Sequence, residues 1–148
     1  INGCLVGSEM CIRDSCKTLK PIKKISTKEF PGYPTDLQAQ LIATQLKSGL
    51  KSKVVENIFE NRFIHIPELR RFGANLSIKG NTVTIDKTSN LLGAEVMATD
   101  IRASFSLIIA AMMSKGKTVI NRIYHLDRGY EDFDLKLKKC GVNISRKK

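Results

Sequence analysis

Thr35-Asp36-Leu37-Gln38-Ala39 and Thr99-Asp100-Ile101-Arg102-Ala103 are two versions of one phrase, set 64 residues apart. A second pair follows: Leu69-Arg70-Arg71-Phe72-Gly73-Ala74-Asn75-Leu76-Ser77 is answered 68 residues later by Leu137-Lys138-Lys139-Cys140-Gly141-Val142-Asn143-Ile144-Ser145. The chain therefore repeats a unit, and the second copy has gained four residues between its landmarks. Between the landmarks, Ile58-Phe59 corresponds to Ile123-Tyr124, and Arg62 to Arg128 in order though not in register.

Each copy reads as helix, strand, loop, short helix, strand. In the first, Thr35 or Asp36 caps a helix with Leu37, Leu41, Ile42 and Leu46 on one face, and Gly49 stops it. Lys53 to Phe59, rich in β-branched residues, predicts a strand. Pro67 suits the opening turn of a short helix ended by Gly73, and Leu76 to Ile78 with Val83 to Ile85 predict a hairpin across Lys79-Gly80-Asn81. The second copy's helix, Ile101 to about Lys115, is apolar over most of its surface and must be buried on several sides. The fold class expected is α/β (α+β), built from repeated helix-and-sheet units near residues 30–94 and 95–148 within one body over 21–148. A helix that needs walls on all sides implies a further unit upstream.

At 148 residues, 42% apolar and 26% charged, the chain has the makings of one ordinary globular core. Its longest apolar run, Leu107 to Met113, is a buried-helix segment and too short for a membrane span. The first 20 residues differ from the rest. Ile1 to Ser15 shows no helical or strand periodicity and is no signal peptide, and its GSEMCIRDS string resembles translated adapter sequence; a disordered basic tail is the alternative. Cys4, Cys11 and Cys16 lie there at spacings that match no zinc or redox pattern, and Cys140 stands alone, which suits a reduced cytoplasmic chain.

The formal charge of +11 admits a nucleic-acid or anionic-lipid partner, or a site for phosphorylated substrates. Against nucleic acid, there is no Trp, no interleaving of basic with stacking aromatic residues, and no RRM, KH or helix-turn-helix pattern. Gly-rich phosphate loops, nucleophile elbows and dinucleotide fingerprints are missing too.

The chemistry-bearing residues cluster at the repeated phrase. Asp36 and Asp100 open equivalent helices, where an ordinary N-cap is the simplest role. Arg102 changes the weighing. A guanidinium in a helix's first turn opposes the macrodipole by ~0.3–1 kcal/mol, so it calls for a carboxylate partner, an anionic ligand, or both. Two helix N-termini, with Arg62 and Arg128 on the following loops, can make one concave place for a phosphate and a carboxylate. Asn121 to Glu131 packs Arg122, His125, Asp127, Arg128 and Tyr130 around Gly129, a polar density unusual for a plain connector, although a solvated turn with incidental ion pairs reads the same way. His65 and His125 lack a third partner at ligand spacing, so no metal is assigned.

FPGYPTDLQAQ (Phe30 to Gln40), IFENRF (Ile58 to Phe63), ATDIRAS (Ala98 to Ser104) and RIYHLDRGYE (Arg122 to Glu131) together resemble the UDP-N-acetylglucosamine 1-carboxyvinyltransferase family, in order and approximate spacing, from about Phe30 to Arg146. The resemblance implies two similar domains, each of three helix-and-sheet units in an inside-out barrel, with substrates between them. This chain would supply the last two units of the C-terminal domain. The implied activity is transfer of the enolpyruvyl group of phosphoenolpyruvate to the 3-hydroxyl of UDP-N-acetylglucosamine, the first committed step of peptidoglycan synthesis, in the cytoplasm and without metal or organic cofactor. Asp36 would contact the sugar and accept the proton of its hydroxyl, and Ile58 would lie against the UDP-sugar. Asp100 would handle protons at the enolpyruvyl carbons, while Arg102 and Arg128, with Arg62 as a further member, would hold the charged groups of phosphoenolpyruvate. The family's N-terminal domain, with its mobile loop, reactive cysteine or aspartate and substrate-binding lysine, is not in this sequence, so the chain is expected to be inactive alone. The sister family acting on shikimate 3-phosphate shares the fold, but the last motif resembles the sugar-nucleotide enzymes.

Overall fold

The computed structural model describes residues 19–146 and, as backbone alone, residues 2–6 and 9–13. Of the foreign or disordered leader expected over residues 1–20, residues 1, 7–8 and 14–18 lie outside the described residues. Within it, β1 (Asn2–Val6) pairs antiparallel with β2 (Glu9–Arg13), and among the described residues this hairpin joins no other sheet.

Each repeat opens with a strand that its sequence does not announce. β3 (Lys24–Ser26) and β7 (Glu95–Met97) have three residues each, too few for a period-2 pattern to show. β3 leads through a 3-10 turn (Thr35–Leu37) and α1 (Gln38–Gln45) to β4 (Ser52–Val55), which lies parallel to it. β7 leads through α3 (Ile101–Met113) to β8 (Val119–Asn121), again parallel. Parallel neighbours need such a crossover, so the repeated unit is a βαβ element and not the helix-first unit that the motifs suggest. Because β3 belongs to the first sheet, that unit reaches back before residue 30.

The first sheet is completed as the turn chemistry predicts. α2 (Ile66–Arg71) has Pro67 in its first turn, and Gly73 follows in the left-handed region with φ +83. β5 (Leu76–Lys79) and β6 (Thr82–Ile85) then form the hairpin across Gly80-Asn81, giving the order β3-β4-β6-β5. The second repeat departs from this plan. After α4 (Tyr124–Asp127) and α5 (Phe133–Lys139), residues 142–146 do not form the strand expected by analogy with β5. In the first copy that strand exists by pairing with β6, and among the described residues no equivalent partner runs beside 142–146.

Two further expectations need correction. β4 stops at Val55 instead of running to Phe59, because Glu56 turns the chain: its Oε1 accepts the amides of Ile58 at 2.9 Å and Phe59 at 3.2 Å. In α1, Leu37 is exposed, and the inward face is made by Gln38, Ala39, Ile42, Ala43 and Leu46. The 3-10 turn shifts the phase of the first residues relative to the α-helix behind them, so Leu37 rotates outward.

α1 and α3 pack against each other and join the two repeats. Ile42 and Ala43 of α1 and Leu46 just after it share one core with Val54, Val83 and Ile85 of the first sheet, with Leu69 of α2 and Phe72 just after it, and with Leu107 and Ala110 of α3. On α3, the buried positions Ala103, Ser104, Ser106, Leu107, Ile108 and Ala110 cover about 200° of the helix circumference at 100° per residue. The helix is therefore buried on several sides, as its composition demanded. Arg102 and Met112 lie on the outward stripe. A smaller cluster of Ile108, Leu126 and Phe133 seats α4 and α5 on the far side of α3. No helix of the described residues is long and apolar enough to cross a membrane.

Candidate active site

Packing α1 on α3 brings the two repeated Thr-Asp phrases side by side at one end of the helix pair. Their aspartates nevertheless do different work. Asp100 has extended backbone (φ −152, ψ 175), and its Oδ1 accepts the amides of Arg102 at 2.8 Å and Ala103 at 2.9 Å. That is the N-cap role read from the sequence. Asp36 sits inside the 3-10 turn, not ahead of it, and neither that turn nor α1 has a side-chain cap. Its carboxylate turns outward, and Oδ1 receives Arg102 Nε at 2.6 Å and Arg62 Nη1 at 3.3 Å.

Arg102 therefore has the carboxylate partner that its place in the first turn called for, supplied by the other repeat. Arg62 is more enclosed: its side chain is 19% exposed, against 62% for Asp36. Its Nη1 also donates to Thr35 Oγ1 at 2.7 Å, and the guanidinium lies over the Phe59 ring, 4.5 Å from the centroid. Behind it stands Glu56, a buried acid. Its Oε2 accepts the Thr35 hydroxyl at 2.7 Å, and its Oε1 accepts the Thr27 hydroxyl at 2.8 Å together with the amides of Ile58 and Phe59. Burial alone would raise the Glu56 pKa, but the bonds from Thr35, Ile58, Thr27 and Phe59 outweigh it and hold the carboxyl below its ordinary value.

Ile58 and Arg62 line a cavity of about 790 Å³ bounded by the 56–64 loop and by Ile78, Gly80 and Asn81 of the β5–β6 hairpin. Asp36, Asp100, Arg102 and Arg128 are not among its lining residues. Asp36 and Arg102 are both exposed. Arg128 is exposed and makes no ion pair with Asp36 or Asp100 among the described residues. Its loop lies against the same helix end: a Cβ on Gly129 would collide with Ile101 Cδ1, so glycine lets the loop lie directly on the first turn of α3.

His65 is 1% exposed, at the start of α2. Burial lowers its pKa to about 4, against the opposing pull of the Asp100 charge and of a hydrogen bond to the Arg62 carbonyl. The imidazole is thus neutral in the folded protein, and its Nε2 has no hydrogen-bond partner among the described residues. In the Asn121–Glu131 segment, Arg122 binds Tyr124 Oη through Nη2 at 2.7 Å, and Asp127 pairs with Arg146 at 2.6 Å. These two pairs stand apart from the Asp36 cluster. Among the described residues no group of three or more His, Cys, Asp or Glu side chains could hold a metal ion. Cys140 is exposed where its counterpart Phe72 is fully buried.

The motifs picked out Asp36, Arg62 and Arg102, which the fold brings together, and Asp100 beside them. They mark Thr35 as a candidate cap and not as a partner of Arg62, and they do not pick out Glu56. The available signal was an acid inside a β-branched run, where a solvent-facing strand position is the ordinary reading.

Comparison with known proteins identifies relatives over most of the chain. A relative from Pelagibacter ubique (strain HTCC1062), named UDP-N-acetylglucosamine 1-carboxyvinyltransferase, is 51% identical over 146 residues, covering 95% of this chain and 35% of its own length. Proteins of the same name from Rhodopseudomonas palustris (strain TIE-1) and Helicobacter hepaticus are 57% and 54% identical, over 82% and 89% of this chain and 28% and 31% of their own lengths. The chain thus spans about a third of the curated relatives it matches. The crystal structure of the enolpyruvyl transferase NikO from Streptomyces tendae superposes with a TM-score of 0.78 at 28% identity, covering 87% of this chain and 30% of that one. With the mixed α/β repeat shared with that enzyme, and with residues 7–137 matching the profile of the EPSP synthase (3-phosphoshikimate 1-carboxyvinyltransferase) family, the chain belongs to that family.

Proposed function

We propose that this chain is part of an enzyme that moves the enolpyruvyl group of phosphoenolpyruvate to the 3-hydroxyl of UDP-N-acetylglucosamine, releasing phosphate, in the cytoplasmic stage of peptidoglycan synthesis. The observation that carries the reading is one carboxylate, Asp36, gripped by guanidinium groups from both repeats: Arg62 from the first and Arg102 from the second. The names of relatives more than half identical to this chain support the sugar nucleotide as acceptor.

The chemistry suits those residue types. As the hydroxyl oxygen bonds to C2 of phosphoenolpyruvate, its proton passes to Asp36 and the methylene carbon gains a proton, giving a tetrahedral intermediate that carries phosphate and carboxylate. Asp100, next to the same helix end, handles the proton at the methyl carbon. That carbon then loses a proton, the C–O bond to phosphate breaks, and the enolpyruvyl ether remains. Arg102, Arg62 and Arg128 neutralise the two anionic groups throughout. Substrate binding would exchange the Asp36–Arg102 pair for contacts with the hydroxyl and an anionic group, an exchange that costs little because the pair is solvent-exposed. Ile58, on the wall of the neighbouring cavity, would touch the UDP-sugar.

The test is a graft of residues 19–148 in place of the equivalent third of the Pelagibacter ubique relative. Phosphate release that requires both phosphoenolpyruvate and UDP-N-acetylglucosamine is the expected result, with none from the 148 residues alone, which span about a third of the relatives' length. The family profile is described by the shikimate enzyme, which favours a second reading. Phosphate release with shikimate 3-phosphate and not with the sugar nucleotide would establish that one and overturn ours.

A further inference from the structure

Glu56 takes no part in the proton transfers described above, yet it is the best-bonded acid in the described chain. Its two oxygens accept two hydroxyls and two backbone amides. The direction of these bonds matters. A carboxylate can only accept, so the Thr35 proton is committed to Glu56 Oε2 at 2.7 Å. Thr35 Oγ1 must then meet its other neighbour as an acceptor, and that neighbour is Arg62 Nη1 at 2.7 Å, a group that can only donate. The line Arg62 to Thr35 to Glu56 therefore runs one way, with a full charge at each end to strengthen both bonds. The same Nη1 reaches Asp36 Oδ1 at 3.3 Å, so the hydroxyl sets how closely Arg62 approaches Asp36. At its other oxygen, Glu56 fixes the turn that carries Ile58.

We propose that Glu56 is a positioning residue, which holds Arg62 against Asp36 through Thr35 and holds the Ile58 turn through two amides, so that both flanks of the site rest on one buried carboxylate. Its significance for the reaction rests on the transfer reading given above; the relay itself does not. Glutamine at this position would keep a carbonyl toward the amides and present Nε2 to Thr35. The hydroxyl proton would then lose its acceptor, and the negative charge behind it would be gone.

The experiment is side-chain NMR of the Arg62 guanidinium in the 148-residue chain. In the wild type, hydrogen bonding should hold the Nη protons as separate, slowly exchanging signals. Both Glu56→Gln and Thr35→Val should lose that separation, and Thr35→Ser, which restores the hydroxyl, should recover it. Should Glu56→Gln fail to fold, Thr35→Val still decides, because it leaves in place the bonds that Glu56 accepts from Thr27, Ile58 and Phe59. Unchanged Arg62 signals in Thr35→Val, or in a folded Glu56→Gln, would overturn the relay. The readout uses no substrate, so its failure is distinct from failure of the transfer reading, which the graft assay detects.

Discussion

Asp36 and Asp100 occupy the same place in the same repeated phrase, and the two helix ends use them in opposite ways. At the second, an extended residue precedes the helix and turns its carboxylate back onto the amides of Arg102 and Ala103. At the first, a 3-10 turn begins one residue before the aspartate, so Asp36 is already inside the turn and its carboxylate faces outward. A carboxylate spent on a cap is anchored by its own backbone. One released from capping is positioned by side chains from elsewhere in the fold, and here those side chains are guanidinium groups. A repeat can thus keep its sequence signature while one copy's carboxylate is tied to its own helix by a cap and the other's is held by side chains from elsewhere in the fold.

The largest expected effect falls on chemistry. In the grafted enzyme, Asp36→Asn removes the proposed proton acceptor and should lower kcat by about 10²- to 10⁴-fold, the usual contribution of a positioned acid or base. Its thermal midpoint should stay close to that of the parent. A midpoint loss as large as that of a core variant would mean that Asp36 is structural after all.

Next comes acid, which reports on the Asp100 side of the pair. His65 binds a proton near its ordinary pKa of 6.5 when unfolded and only at about 4 when folded. Stability from this group is therefore complete above about pH 6.5 and falls as pH drops toward 4, by on the order of 3 kcal/mol. Glu56 acts in the same direction lower down: its lowered pKa gives stability above the ordinary carboxylate value that is lost as pH falls through the folded one. Urea unfolding at a series of pH values should show this slope. Because the Asp100 charge raises the His65 pKa, Asp100→Asn should move the slope to more acid pH, and Asp36→Asn should leave it where it is. Equal shifts from both variants would erase the distinction between the two helix ends.

Smaller still is the cap itself. Asp100→Ala should cost about 1 kcal/mol of unfolding free energy, as N-cap losses do. Asp36→Ala should change it by less than about 0.5 kcal/mol, because it breaks only the two ion pairs of an exposed carboxylate. That small effect should shrink further in high salt, where an exposed pair is screened. A cap-sized cost for Asp36→Ala would show that the two ends are alike in solution.

Sequence alone determined what short-range chemistry controls. The duplicated phrases announced a repeat, the glycine and proline positions set the β5–β6 hairpin and the ends of α2, and the apolar circumference of α3 required burial on several sides. Even the Asp36–Arg102 pair was half legible, since an arginine in a helix's first turn is unfavourable without an anion near it. Tertiary structure decided which anion. It also decided that Asp100 caps while Asp36 does not, that β4 ends at Glu56, and that Thr35 carries a hydrogen bond from Arg62 to a buried carboxylate. The reason is one of range: caps, turns and periodicity depend on residues a few positions apart. The Glu56–Thr27 bond depends on the pairing of β3 with β4, and the Asp36–Arg102 pair on the packing of α1 against α3, each joining residues far apart in sequence.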